Sequence, residues 1–160
     1  MSIFETTALN KAGVTPDSAA AKAVMSRENI FEMTQSAEEA VLRPRECGMF
    51  PHDVRAALAA RVAHLAGDEM LAAQYLATAG DAAPLARLSE TGEAHQLAAV
   101  VGFVDKVANQ TRDVATEDIS GLQASGVPDA DIVRLCELVA FLAYQIRVIS
   151  GLRLMQGNTG

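Results

Sequence analysis

The chain has no tryptophan, and aromatic residues of every kind make up only 4% of its 160 residues. A core must therefore be built from aliphatic side chains. There are only two cysteines, Cys47 and Cys136, far apart in the sequence. That spacing gives no CxxC and no cysteine-based zinc site, and it excludes a disulfide framework. Positive charge is also short: 13 Lys and Arg stand against 20 Asp and Glu, for a net charge of −7. Nucleic-acid binding needs a basic footprint, which is missing, and an anionic membrane surface is disfavoured for the same reason. No stretch approaches the ~18 uninterrupted apolar residues of a membrane span. The first residues, MSIFETTALNKAG, lack the basic segment and apolar run of a secretory signal. The expectation is a cytoplasmic protein with free thiols. The three histidines, His52, His64 and His95, are scattered with no HExxH, so neither a metal nor a cofactor is expected. Gly13, Gly102 and Gly121 stand alone and form no phosphate loop.

The residues that are present favour helices. Half of them are hydrophobic, mostly Ala, Leu and Val, and 21% are charged, which is a globular balance. No alternating strand pattern, internal repeat or low-complexity segment stands out. Thr15-Pro16-Asp17-Ser18 predicts a helix start, with about two turns from Ala19 to Met25. Ser36 and Glu39 have capping-box spacing, so the stretch from Arg27 to Leu42 reads as two short helices or one bent one. Arg43 to Gly48 is a break. Pro51-His52-Asp53 opens a helix with Val54, Ala57, Leu58, Val62 and Leu65 on one face, and Gly67 ends it. Asp68 caps the next, through Ala79, with Gly80 as terminator. Asp81 to Gly92 is a connector, and His95 opens the helix after Gly92. Leu97, Val100, Val101, Val104 and Ala108 mark that helix as amphipathic. Thr116-Glu117-Asp118 starts a short helix ending at Gly126. Pro128-Asp129 starts the last, whose stripe runs Ile132, Leu135, Cys136, Val139, Ala143 and Ile146. Leu138, Phe141 and Leu142 widen that stripe, placing this helix at the centre or at an oligomer interface.

Two stretches carry a resemblance to a known family. The first is Phe50 to Gly67, FPHDVRAALAARVAHLAG, joined to DEMLAAQY from Asp68 to Tyr75. The second is FVDKVANQTRDVATEDI from Phe103, then LQASGVPDADIV from Leu122. Together they resemble the helical core of the carboxymuconolactone decarboxylase/alkylhydroperoxidase D superfamily. The first stretch is similar to its core helix pair, and the second to the C-terminal half of peroxidase-related members. Arg147 falls where many members carry an Arg late in the final helix. The resemblance implies an all-α bundle of about six to seven helices in one structural domain, with residues 1–49 as an N-terminal helical extension and 50–160 as the core. It also implies a homo-oligomer.

The peroxidase members carry a Glu, a CxxC well downstream and a His four residues after the second Cys. By position these fall on Ala56, Asp68, Leu71 and Tyr75, so all four groups are replaced. Peroxide reduction needs a low-pKa thiolate, a second thiol to resolve the sulfenic acid, and groups that move protons. Asp68 can cap the helix in place of the first Cys, but it cannot perform two-electron redox chemistry. The decarboxylase branch's Trp- and His-bearing signature is absent too.

The resemblance thus implies a degenerate member that binds a small molecule or a related partner subunit, for which a CxxC-bearing relative is a natural candidate. Two alternatives stay open: a non-cysteine, decarboxylase-like enzyme using Asp68, Tyr75 and His64, or a thiol peroxidase using Cys47, whose neighbours Arg43 and Arg45 could lower its pKa. Against these stand plainer readings. Asp68 reads as a helix cap, Tyr75 as a packed core residue with its hydroxyl satisfied, and His64 as a residue placed for the helix dipole. Cys136 reads as an inert core thiol, and Arg61 as one half of an ion pair.

Overall fold

The computed structural model describes residues 2–157 and is all-helical, with no strand among them. Its eight α-helices are, in order, α1 Thr7–Ala12, α2 Ala21–Met25, α3 Glu28–Leu42, α4 His52–Leu65, α5 Glu69–Leu76, α6 Ala98–Asn109, α7 Thr116–Ala124 and α8 Asp129–Met155. Six of them run eight residues or longer. Short 3-10 segments at Ile3–Glu5, Gly80–Ala86, Glu93–His95 and Thr111–Asp113 join or precede them. The last three residues of the expected core, 158–160, lie outside the described part.

Helix boundaries obey local chemistry. Pro51 sits at the N-cap of α4, where its fixed φ and missing N–H cost nothing. Gly67 takes φ 75° just past the end of α4, which lets the chain turn straight into α5. Asp68 caps α5 by accepting the Leu71 N–H at 3.1 Å. Pro128 holds the N-cap position of α8. Gly48 is the second position that demands glycine. Its φ is 58°, and a Cβ there would stand 2.1 Å from Asp131 Oδ1.

Several boundaries differ from expectation. α1 was not foreseen, because six residues are too few to show a period. α2 begins at Ala21 rather than Ala19, after turns at residues 16–20. α3 is one continuous helix, and the Ser36–Glu39 spacing does not cap anything. The Ser36 hydroxyl donates back to Glu32 O at 3.0 Å, while Glu39 bonds forward to Arg43. α5 stops at Leu76 rather than Ala79, and Gly80 opens the 3-10 segment. His95 lies in the turn before α6 rather than opening the helix, because Gln96 takes the left-handed conformation at φ 57°.

The most enclosed element is α4, not the final helix. Every residue from Arg55 to Ala63 is buried. Five of these nine are alanine, so α3, α5, α6, α8 and the Gly80–Ala86 segment can all pack against it. A helix buried all round cannot be amphipathic, and the single apolar face read from the sequence understates it. α8 runs along the same core with Leu135, Leu138, Leu142, Gln145 and Ile149 inward. Cys136, placed on the core stripe by its spacing, is instead exposed. The apolar Leu138–Ile149 stretch therefore spends its inner face on the protomer's own core. One buried cluster takes residues from Ile3 to Leu152, so the N-terminal 49 residues share it through Leu9, Val14, Val24, Phe31 and Leu42.

Two guanidinium groups lie inside this apolar helix. Arg55 donates to Phe50 O at 2.8 Å, Cys47 O at 2.9 Å and Val41 O at 3.0 Å. Arg61 pairs with both oxygens of Asp105 at 2.6 and 2.7 Å, and its Nη1 donates to Leu85 O, Arg87 O and Glu90 O. The ion pair expected of Arg61 is thus present, and its other protons fix the 85–90 loop.

Replacing Arg61 with Ala strands the Asp105 carboxylate and three carbonyls, so urea unfolding should show a loss of about 3–5 kcal/mol. Arg61→Lys should recover only a minor part of it, since an ammonium cannot reach this fork of acceptors. A loss below about 1 kcal/mol in either variant would mean the loop does not depend on this residue.

Candidate functional site

Of the positions expected to match the peroxidase motif, Ala56 lies in the middle of α4, Asp68 at the α4–α5 junction, and Leu71 and Tyr75 in α5. Ala56 and Leu71 are buried and purely apolar. Asp68 is 6% exposed, and its carboxylate is fully engaged. Besides capping α5 it holds Arg153 of α8, with Nη1 at 2.9 Å and Nη2 at 3.2 Å. Arg153 also donates to Lys11 O at 2.9 and 3.2 Å. The group therefore clamps the C-terminus of α1, the N-terminus of α5 and the last turns of α8. His64 does not join it: its Nδ1 lies 3.0 Å from Glu69 instead.

Tyr75 belongs to a different set. It is 3% exposed, and its hydroxyl donates to Gln145 Oε1. Gln145 Nε2 donates to Glu38 Oε2 at 2.8 Å. The Thr7 hydroxyl donates to Glu38 Oε1 at 2.9 Å, and Thr7 N–H donates to Gln35 Oε1 at 2.8 Å. A buried polar chain thus joins α5, α8, α3 and α1. Arg153, the partner of Asp68, is eight residues from Gln145, the partner of Tyr75. That is about 12 Å along α8, so Asp68 and Tyr75 present no common handle. Five surface grooves of about 120 to 380 Å³ are lined by other residues than Asp68, Tyr75, Ala56 or Leu71. His64 lines one, a cleft beside Leu76, Pro84 and Arg87, and Arg147 another, beside Val62 and Ala143.

The remaining candidates are dispersed. Cys47 is half-buried, with its thiol 3.9 Å from Pro44 O. Arg43 is paired with Glu39. Cys136 is a free thiol on the exposed side of α8, and burial is the main cause raising its pKa, with Glu137 adding to it. His52 bonds Pro44 O at 2.9 Å. Arg147 is exposed and reaches only Ala143 O at 3.3 Å. Among the described residues no group of three His, Cys, Asp or Glu is placed to hold a metal.

Glu38 and Gln145 were not singled out from the sequence, yet a signal existed. Gln145 sits between Leu142 and Ile149 on the core face of α8, and Glu38 stands one turn before Leu42 and one after Thr34 on α3. A polar residue on a core stripe is either partnered or functional. Burial lifts the Glu38 carboxyl above its ordinary 4.5, opposed by the Thr7 and Gln145 hydrogen bonds, raised further by Glu39 and lowered by Arg43. Burial likewise keeps the Tyr75 phenol protonated far beyond its usual range, with Glu38 next in effect. The arrangement can hold a proton, and it contains no thiol.

No protein-family model, curated protein or solved structure matches the chain.

The raised Glu38 carboxyl has a signed consequence. The folded state binds this proton more tightly than the unfolded chain does. Its stabilisation is therefore complete below about pH 4.5 and is lost as pH rises through the folded value. In Glu38→Gln that slope should vanish, so the variant should gain stability relative to wild type as pH rises above about 4.5. Urea midpoints across this range check it, and a wild-type-minus-variant difference independent of pH would show that Glu38 carries no such proton.

Proposed function

We propose that the chain is a redox-silent member of the carboxymuconolactone decarboxylase/alkylhydroperoxidase D superfamily, working as a binding and assembly subunit rather than as a peroxidase. The all-helical architecture agrees with that fold, and the observation that carries the reading is the state of the four motif positions. Ala56 and Leu71 are closed core packing, Asp68 is saturated by Arg153 and Leu71 N–H, and Tyr75 is sealed into the Glu38–Gln145 chain. A peroxide substrate would need a thiolate at the start of α5, and a carboxylate that caps a helix and binds a guanidinium cannot take its place. The decarboxylase-like alternative needs a free acid or base facing a cavity, and both of its lead residues are spoken for. What the chain retains from the superfamily is its helical body, hence its capacity to associate with itself, with a CxxC-bearing relative or with a small molecule.

The test is reduction of an organic hydroperoxide with a thiol reductant, comparing wild type with Cys47→Ser. Neither protein should turn over above the rate of free thiol. Turnover that disappears in Cys47→Ser would replace this reading with an unconventional thiol peroxidase.

A further inference from the structure

α3 and α8 run antiparallel, with Thr34 bonding Tyr144 at 2.9 Å and Glu38 bonding Gln145 at 2.8 Å. Past these contacts, toward the start of α3 and the end of α8, the two helices and α2 line a groove of about 260 Å³. Val24, Phe31 and Leu152 contribute apolar walls and are each less than a tenth exposed. From Tyr144 to Met155 the groove follows about 16 Å of α8, so it suits an extended chain better than a compact ring. Met155 at its rim is 57% exposed, a flexible side chain that can fold over an occupant. Thr34 gives its only hydroxyl proton to Ile30 O at 2.8 Å, so the Tyr144 hydroxyl is the donor in the bond between them. Tyr144 thus has no proton to offer a ligand. Among the described residues that line the groove, Arg27 is the one charge and the one side-chain donor not already committed. It forms no ion pair with any of them.

We infer that this groove binds a free monocarboxylate with an unbranched apolar chain, its carboxylate on Arg27 and its chain between α3 and α8. This names a ligand class and rests on the reading of the chain as a binding subunit. Charge complementarity selects the head group. A guanidinium presents two parallel N–H groups that match a carboxylate edge. Arg27 is also the N-cap residue of α3, and no side chain caps that helix. The first-turn N–H groups of α3 therefore lie at the same end and add positive potential there. Glu28 stands in that turn but does not line the groove. The rest of the ligand must be apolar. A sugar, a nucleotide or a second charge would lose its hydration against these walls and find no partner in return. Size sets the length. The volume falls just below the roughly 300–1,000 Å³ of ordinary ligand pockets, which suits one chain of medium length and not a two-chain lipid. An anionic bilayer as the source of the chain is disfavoured by the net charge of −7.

Equilibrium binding of decanoate to the whole protein, below the concentration at which the acid forms micelles, tests this. Wild type should take up decanoate at one saturable site per chain. 1-Decanol, the same chain without the charge, should bind about tenfold or more weakly, and decylammonium should not bind. Arg27→Gln should bring decanoate down to the level of decanol and leave decanol unchanged. Added salt should weaken decanoate binding to wild type and not to Arg27→Gln. Ala23→Trp, at an exposed position lining the groove, should block acid and alcohol alike with helix content unchanged by circular dichroism. No uptake of decanoate up to about 1 mM, whether the groove stands empty or a second copy covers it, would overturn the proposal. So would equal affinity for acid and alcohol, indifference to Arg27→Gln, or full binding by a folded Ala23→Trp. Recruitment to phosphatidylglycerol vesicles without uptake of the monomeric acid would overturn it in favour of a lipid surface. Any of these failures leaves the redox-silent reading standing, whereas turnover of the organic hydroperoxide would sink that reading without touching the carboxylate site.

Discussion

Everything in this fold depends on one helix with no outside. α4 is buried along nine consecutive residues, and a helix in that position faces two demands at once. Its neighbours must come close, which requires small side chains, and its surroundings must still satisfy their backbone groups without help from water. The sequence answers the first with alanine and the second with arginine. Arg55 and Arg61 are the most buried of the cations among the described residues, and their protons go chiefly to carbonyls of the loops on either side. A guanidinium is suited to this because its five donors are spread in a fixed plane, so a single side chain can order several loop carbonyls.

The same logic organises the periphery of the core. Asp68 and Arg153 tie three helix ends together, two of them termini where backbone groups lack helical partners. Glu38, Gln145, Thr7 and Tyr75 tie four helices through a chain in which every bond joins side chains distant in sequence. No buried side-chain nitrogen or oxygen is left without a partner among the described residues. Interiors of this type gain specificity of packing more than raw stability, since each misplaced helix would strand a polar group. They also leave little freedom for a ligand, because a group that already has its full set of hydrogen bonds must lose them to accept new ones.

The helical class and most boundaries were legible in the sequence because they are set within a few residues. Pro51, Gly67, Asp68 and Pro128 act on their immediate neighbours, and their readings depend on nothing distant. The apolar periods of α6 and α8 were legible for the same reason. What failed was what depends on more than one element. Cys136 lies at the edge of a stripe, and only the packing of α8 decides whether an edge residue is covered. The burial of α4 on all sides could not be inferred from its own pattern, since alanine is neutral about exposure. Ser36 and Glu39 had capping spacing, but Arg43 one turn later offered Glu39 a better partner. The Glu38–Gln145 and Tyr75–Gln145 pairs span 107 and 70 residues. Their polar members showed as breaks in two core stripes, while the partnership between them did not show at all.

The candidate site therefore has an unusual character: the residues that stand where chemistry would be expected are the ones most completely used for structure. At Ala56, Asp68, Leu71 and Tyr75 the interior is closed, with alanine and leucine at two positions and fully bonded polar groups at the others. Five of the ten large exposed hydrophobic side chains among the described residues, Met33, Val133, Tyr144, Leu154 and Met155, sit on α3 and α8, the two helices whose inner faces share the Glu38–Gln145 bond. The polar chain fixes the relative rotation of those helices, and that rotation sets which of their residues face outward. The interior network and the exterior face are thus two sides of one constraint, and a change that let α8 turn about its axis would disturb both together.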